Sequence, residues 1–290
     1  MAMNALCKTL APAVLVWAMA APPSAAQPGD LDVPYVPTPE NVVDAMLRLA
    51  KVGPQDLVYD LGSGDGRIVI TAAERYGAQG VGIDIDPARI AEARENADAA
   101  GVESQVRFVQ GDLFEADIKP ATVVTLYLLG SVNEEIRPRL LNQLRPGTRI
   151  VSHAFDMGPW KPDATATVDG ADVFLWIVPA QAAGQWIATI EQPAGAEEFS
   201  MALEQQFQDV AGMVVLGGIH TVVEGAEVQG RQLTLNLDDG NGATRRLTGR
   251  IDGDRIEGWV FAGNDTNALG RWSATRVGDF DTGQLRTGTH

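Results

Sequence analysis

Asp60, Gly62, Gly64 and Gly66 stand at alternate positions in V-Y-D-L-G-S-G-D-G-R, residues 58–67. Glycine lacks the Cβ that crowds a sharply turning backbone, so three of them let the main chain come close to a bound ligand. Asp60 sets a carboxylate beside that turn. Two more acids follow at comparable places, Asp84 in G-V-G-I-D-I-D-P and Asp112 in V-Q-G-D-L-F. A carboxylate roughly twenty residues past such a turn can accept hydrogen bonds from both hydroxyls of a ribose. A dinucleotide site requires G-x-G-x-x-G, and the sixth place counted from Gly62 is Arg67, so that register fails. Each aspartate alone would also suit a helix cap or a turn. Three in series, the first within D-x-G-x-G-x-G, point to a nucleoside-bearing ligand other than NAD.

The elements around these residues follow a βα alternation, which predicts a parallel α/β sheet. Strands are expected near 56–61, 80–84, 105–110, 120–128 and 147–154, and helices near 66–76, 87–101 and 133–143. Pro87 opens the second of these helices and Gly101 ends it, in keeping with the preferences of proline and glycine. Ahead of them, 28–39 is proline-rich and extended. It leads into a helix with Thr38 as N-cap and Pro39 at its first position. Val43, Met46, Leu47 and Ala50 then recur at helical spacing. After Trp160 a short polar piece precedes D-V-F-L-W-I-V, 172–178, read as a last buried strand completing a doubly wound sheet. On this arrangement Asp60, Asp84 and Asp112 fall at successive carboxyl ends of strands, where open α/β sheets bind ligands.

D-x-G-x-G-x-G is the signature of class I S-adenosylmethionine (SAM) methyltransferases, and the chain resembles that family here. The resemblance implies that Asp60 and the turn Gly62, Ser63, Gly64, Asp65 and Gly66 hold the methionine end of SAM. Asp84, with Ile85 beside it, would hold the ribose, and Asp112 with Leu113 the adenine edge. A narrower resemblance covers roughly 33–178. The segments V-P-Y-V-P-T-P-E-N-V-V, D-L-G-S-G-D-G-R-I-V-I and R-I-V-S-H-A-F-D-M-G-P-W-K-P-D look like the small protein-lysine methyltransferases that modify the ATP-synthase c subunit and related mitochondrial proteins. Asp84 departs from the Glu usual in that family and keeps the chemistry. Ala154-Phe155 replaces a common Arg-Phe, a change on the acceptor side.

Methyl transfer is a direct displacement that needs an in-line lone pair and a dry site. The acceptor is therefore selected by what surrounds the reacting methyl. After the fourth strand the chain reads Y-L-L-G-S-V-N-E-E, 127–135, without the N-P-P-Y motif of enzymes that methylate amino groups of bases and of glutamine. From the lysine methyltransferase resemblance, Tyr35 and Thr38 would cover the active site. Tyr127, with Phe155 and Trp160, would wall a channel for an alkyl-ammonium stem, since aromatic faces attract cations. Glu134 and Glu135 either steer that stem or begin a helix. His153 is a candidate base, or a hydrogen-bonded strand-end histidine.

The 290-residue chain has a net charge of −16, against the basic stripe that a grip on nucleic-acid backbones needs. A protein or small-molecule acceptor is expected instead. Residues 1–26 read as an export leader: Lys8, an apolar run from Leu10 to Ala21, then P-P-S-A-A-Q with Ser24 and Ala26 at the small-residue positions before Gln27. The run is too short to span a bilayer comfortably. An uncleaved anchor or a misassigned start codon are the alternatives. Cleavage would remove Cys7, the single cysteine. An exported, periplasmic location raises a supply problem, because SAM is made in the cytoplasm.

The expected domains are the leader 1–26, a methyltransferase domain 27–179, a linker 180–185, an all-β barrel or sandwich 186–277, and a tail 278–290. Short alternating strands separated by Gly, Asp and Asn turns carry the all-β reading. Asp238 to Gly242 and Asp252 to Asp254 suit hairpin turns better than calcium loops. Lone His220 makes no metal site. Trp186, Trp259 and Trp272 are expected to fill the β domain, whose partner the sequence does not identify. A second reading keeps the fold as an exported SAM- or nucleoside-binding module without turnover, its β domain docking a partner.

Overall fold

A computed structural model describes residues 36–192, 195–238 and 244–279. The expected leader 1–26, Tyr35, most of the acidic turn at 238–242 and the tail from 280 lie outside the described residues.

The first sheet has seven strands in the order β3-β2-β1-β4-β5-β7-β6. They are β1 Leu57–Leu61, β2 Gln79–Asp84, β3 Val106–Gln110, β4 Val123–Leu126, β5 Arg149–His153, β6 Ala164–Val168 and β7 Ala171–Ile177. The five strands expected from the βα alternation pair in parallel, with β1 between β2 and β4. The sheet is nevertheless mixed. β7 runs antiparallel to β5, and β6, which the pattern did not suggest, returns as an antiparallel edge strand. A-T-A-T-V offers only small side chains, half-buried or exposed in alternation, so its edge position left no run of bulky residues to read.

Four helices complete this part: α1 Glu40–Leu49, α2 Arg67–Tyr76, α3 Pro87–Ala100 and α4 Gly130–Gln143. Val42, Val43, Met46 and Leu47 of α1, Ile68, Val69 and Ala72 of α2, and Ile90, Ala93 and Ala97 of α3 share one core with Val58, Val123, Val151 and Val173. Side chains alternate along a strand, so Ser152 points to the opposite face, where buried Asn133 of α4 donates Nδ2 to its Oγ at 3.1 Å. Helices thus cover both faces, as a doubly wound sheet requires. α1 begins one residue later than expected. Pro39 is the N-cap, its carbonyl accepting from the amides of Val42 and Val43, and Thr38 makes no cap.

The second part is a closed barrel of eight antiparallel strands: β8 Gly184–Gln192, β9 Gly195–Gln206, β10 Asp209–Leu216, β11 Ile219–Gln229, β12 Gln232–Asp238, β13 Thr244–Asp252, β14 Arg255–Ala262 and β15 Ala268–Gly278. Each strand pairs with the next, and β15 returns to β8. Closure leaves no open sheet edge. Trp186, Ile190, Leu203, Val214, Leu235, Leu247 and Trp272 fill the interior. Trp259 does not: it faces outward, 45% exposed, beneath the Arg271 guanidinium. Asp252 pairs with Arg255 around Gly253 and Asp254, the expected hairpin turn.

The segment read as a flexible linker is fixed in place. Ala180 and Ala182 are buried, Ala180 N donates to Gly230 O at 2.6 Å, and Gln205 bonds both alanines. Small residues there serve close packing. Among the described residues, sheet and barrel belong to one compact unit.

Candidate active site

The strand order reverses between β2-β1 and β4-β5, and the carboxyl ends of β1 and β4 open onto that switch point. Asp60 and Gly62 to Gly66 sit there. Gly62, Gly64 and Gly66 all have left-handed backbones, with φ of 78°, 52° and 80°. Gly66 has a second reason to be glycine: a Cβ would stand 2.6 Å from the Phe108 ring. The turn is tied to β2 by the Gly62 and Ser63 amides, which both donate to Ile83 O.

Asp60 is almost fully buried and accepts a hydrogen bond from Thr125 Oγ1 at 2.7 Å. Burial pushes its carboxyl up to about 7, against the Thr125 hydrogen bond, with the nearby Asp84 and Asp65 charges adding to the rise. A cation beside it would reverse that shift. Asp84 accepts the Gly64 amide at 2.8 Å on one oxygen and the Asp86 amide at 2.9 Å on the other. Each oxygen keeps a lone pair for a further donor. Ile85 next to it is 57% exposed, an apolar side chain at the mouth of the switch point. Asp112 is exposed and its Oδ1 accepts the Phe114 amide at 2.8 Å, so it caps a turn, while Leu113 is half-buried. Gly111 N to Asp84 O at 2.9 Å joins the ends of β3 and β2.

Asp65 grips Arg67 through Nε and Nη2, the latter at 2.6 Å, and Arg67 Nη1 reaches Thr38 O at 2.9 Å. The glycine turn is thereby joined to the segment before α1. Thr38 is buried; its Oγ1 and His153 Nδ1 are hydrogen-bonded at 3.3 Å. Burial holds the His153 pKa below the ordinary imidazole value, so it is neutral at pH 7. The Tyr127 ring lies 3.9 Å from that of His153 and 6.5 Å from that of Phe155.

Thr38, Tyr127, His153 and Phe155 are therefore brought together, beside the turn that holds Asp60 and Asp65. Trp160 is not part of an open channel. It is fully buried and packs on Trp176 and on Phe207 of the barrel, so it has no surface to offer an alkyl-ammonium stem. Glu134 and Glu135 lie within α4, in keeping with a helical role. Sequence reasoning missed three residues. Thr125 holds Asp60, Arg67 spans turn and N-terminal segment, and Asn133 holds the carbonyls of Phe155 and Asp156. Arg67 closes the very motif that was quoted, and its place after Asp65 was the available signal.

The site's chemistry fits SAM. Ser63 Oγ is buried with no hydrogen-bond partner among the described residues. A buried orphan hydroxyl is expected where a ligand supplies the partner. On the resemblance to class I methyltransferases, Asp60 would receive the cationic methionine end, Asp84 the ribose hydroxyls, and Ile85 and Leu113 an apolar base face.

Comparison with known proteins agrees. The profile of the ANTKMT methyltransferase domain matches residues 60–164. A protein-lysine N-methyltransferase of Saccharolobus islandicus is 48% identical over 151 residues, half of this chain and 94% of its own length. The adenine nucleotide translocase lysine N-methyltransferase of Mus musculus is 30% identical, over 62% of this chain and 78% of its own. A crystal structure of an RNA methyltransferase from Salinibacter ruber with bound S-adenosyl-L-homocysteine is 61% identical, with a TM-score of 0.50, and covers 50% of this chain and 95% of that one. With the glycine turn, the acidic strand ends and these likenesses together, the chain belongs to the SAM-dependent protein-lysine methyltransferase family, with a β-barrel appended to the family's domain.

Proposed function

We propose that this enzyme methylates the ε-amine of a lysine in a protein acceptor. The observation that carries the reading is the aromatic cluster of Tyr127, His153 and Phe155 at the carboxyl ends of β4 and β5, beside the SAM turn. Aromatic faces receive an ammonium and its alkyl stem. The Saccharolobus and mouse relatives, both lysine N-methyltransferases, support the same acceptor class.

Bound SAM supplies an electrophilic methyl group, and its sulfur keeps the S–C electron pair when the amine attacks. The chain's part is orientation and dryness. Asp60 and Asp84 hold the donor's charged and ribose ends. Tyr127 and Phe155 desolvate the incoming ammonium, which lowers its pKa and favours the amine with its lone pair. His153, packed beneath Tyr127 and bonded to Thr38, supports that ring, and neutrality lets it do so without repelling a cation. Ala154, exposed and in a left-handed conformation, leaves the entrance without the arginine common among relatives.

The Salinibacter likeness makes RNA the acceptor to exclude. A net charge of −16 disfavours it, since phosphate contacts need Lys and Arg. The test is incubation with methyl-labelled SAM and cell extract, cytoplasmic and periplasmic fractions separately because the leader expectation concerns residues 1–26. Label in a protein band, recovered as methyl-lysine after hydrolysis, is the expected result. Label lost to ribonuclease and retained after protease would overturn the reading, and binding without transfer to any fraction would favour a non-catalytic module.

A further inference from the structure

The turn of the β9–β10 hairpin is Phe207–Gln208, between the paired residues Gln206 and Asp209. Phe207 adopts φ of 55°, a left-handed backbone that a two-residue hairpin normally gives to glycine. A bulky residue kept in such a conformation points to a demand on its side chain. The Phe207 ring lies 5.9 Å from the Trp160 indole and within 13° of parallel to it. The Arg137 guanidinium of α4 lies 5.6 Å from the same ring. Gln205 Nε2 braces the turn by donating to Phe207 O at 2.7 Å. Beside it, nearly buried Gln208 donates Nε2 to Lys161 O at 2.9 Å.

Trp160 and Lys161 end the loop that begins at Ala154 and carries Phe155. Inside the sheet domain that loop is held by Asn133 at the Phe155 and Asp156 carbonyls, by Arg137 at Met157 O and by Trp176 at Trp160 O. Trp160 Nε1 has no hydrogen-bond partner among the described residues, so within them the indole itself is held by ring packing. Phe207 supplies one of its two aromatic neighbours, and Gln208 secures the next carbonyl.

We propose that the barrel's β9–β10 hairpin is a positioning element of the active site, with Phe207 and Gln208 setting the loop 154–161 and through it the Phe155 wall. The barrel is then a working part of the acceptor site rather than a separate module. Its role in acceptor binding rests on the lysine reading above, while its hold on the loop does not.

Phe207→Gly separates ring from backbone, because glycine suits the turn and keeps the barrel folded. Hydrogen exchange of the amides at 155–161 is expected to quicken by roughly tenfold in this variant as the loop loses an anchor. SAM affinity by calorimetry should stay within about twofold, since no cofactor residue is touched. Phe207→Trp, which keeps a flat face, should restore slow exchange, and Phe207→Leu should not. With the protein band labelled most strongly in extract as acceptor, KM should rise while kcat changes little. Unchanged exchange in Phe207→Gly and in Gln208→Ala would overturn the proposal whatever the acceptor is. Faster exchange with an unchanged acceptor KM would overturn the role in acceptor binding. Failure of every extract to accept label would sink the lysine reading and leave the exchange result to decide.

Discussion

Thr125 donates its hydroxyl to the buried Asp60 carboxylate at 2.7 Å, while the Asp84 and Asp65 charges nearby oppose its ionisation. The carboxyl stays protonated up to about pH 7, and if it receives the cationic end of SAM, as the resemblance implies, binding requires the ionised form. Affinity for SAM is therefore expected to rise with pH through this window, being about tenfold weaker at pH 6 than at pH 8. Calorimetry at pH 7 in buffers of different ionisation enthalpy should register proton release on binding. The same shift acts on folding. The unfolded carboxyl titrates near 3.8 and the folded one near 7, so the SAM-free protein loses stability as pH rises from about 4 to 7. Asp60→Asn should flatten that loss in a thermal melt, and an unaltered slope would refute the assignment.

Asp84 is expected to matter more to the cofactor than to the fold. It receives two backbone amides, one from the glycine turn and one from the start of α3. Asp84→Ala removes the acceptor of those two part-buried amides and, with it, the proposed ribose site. SAM affinity should fall at least about a hundredfold, measured by calorimetry, while the circular dichroism spectrum is kept. Undiminished affinity would remove Asp84 from the site.

Gly66 joins backbone strain to a steric limit. At φ of 80° an alanine is strained, and its Cβ would lie 2.6 Å from the Phe108 ring. Gly66→Ala should cost about 2–4 kcal/mol in urea unfolding. Adding Phe108→Leu should recover part of that loss, because it clears the clash and leaves the dihedral penalty.

What was legible in the sequence was whatever rests on local rules. Glycines at positive φ, Pro87 and Gly101 at the ends of α3, and acids after successive strands are set by neighbours a few residues apart. β6 escaped because an edge strand of small residues carries little hydrophobic pattern. Trp160 was misplaced because an aromatic residue near an active site and one in a core look the same in sequence. The difference lay in Phe207, some fifty residues on, in a fold class whose packing on the sheet no local pattern encodes. Thr125 and Asn133 were missed for a like reason. Thr125 lies in an apolar strand and Asn133 on the buried side of a mostly polar helix, and the partner of each is distant in the chain.

Asn133 offers the sharpest check on how the acceptor side is built. It is fully buried, and its Nδ2 faces Ser152 Oγ and the carbonyls of Phe155 and Asp156 at 3.1–3.3 Å. The two carbonyls, which can only accept, fix Nδ2 as the end that faces the loop, while Oδ1 is buried without a hydrogen-bond partner among the described residues. Asn133→Asp would aim carboxylate oxygens at two carbonyls, so it should destabilise more than Asn133→Ala, which leaves acceptors unsatisfied but adds no charge. About 1–3 kcal/mol is expected for the alanine variant and more for the aspartate, by urea unfolding. Because Asn133 touches the loop and not the SAM turn, SAM affinity should hold in the alanine variant while acceptor KM rises. The aspartate variant should partly recover stability at low pH, where its carboxyl is protonated and can donate again. If the two variants were equally stable at every pH, the amide would not be the anchor that its three contacts describe.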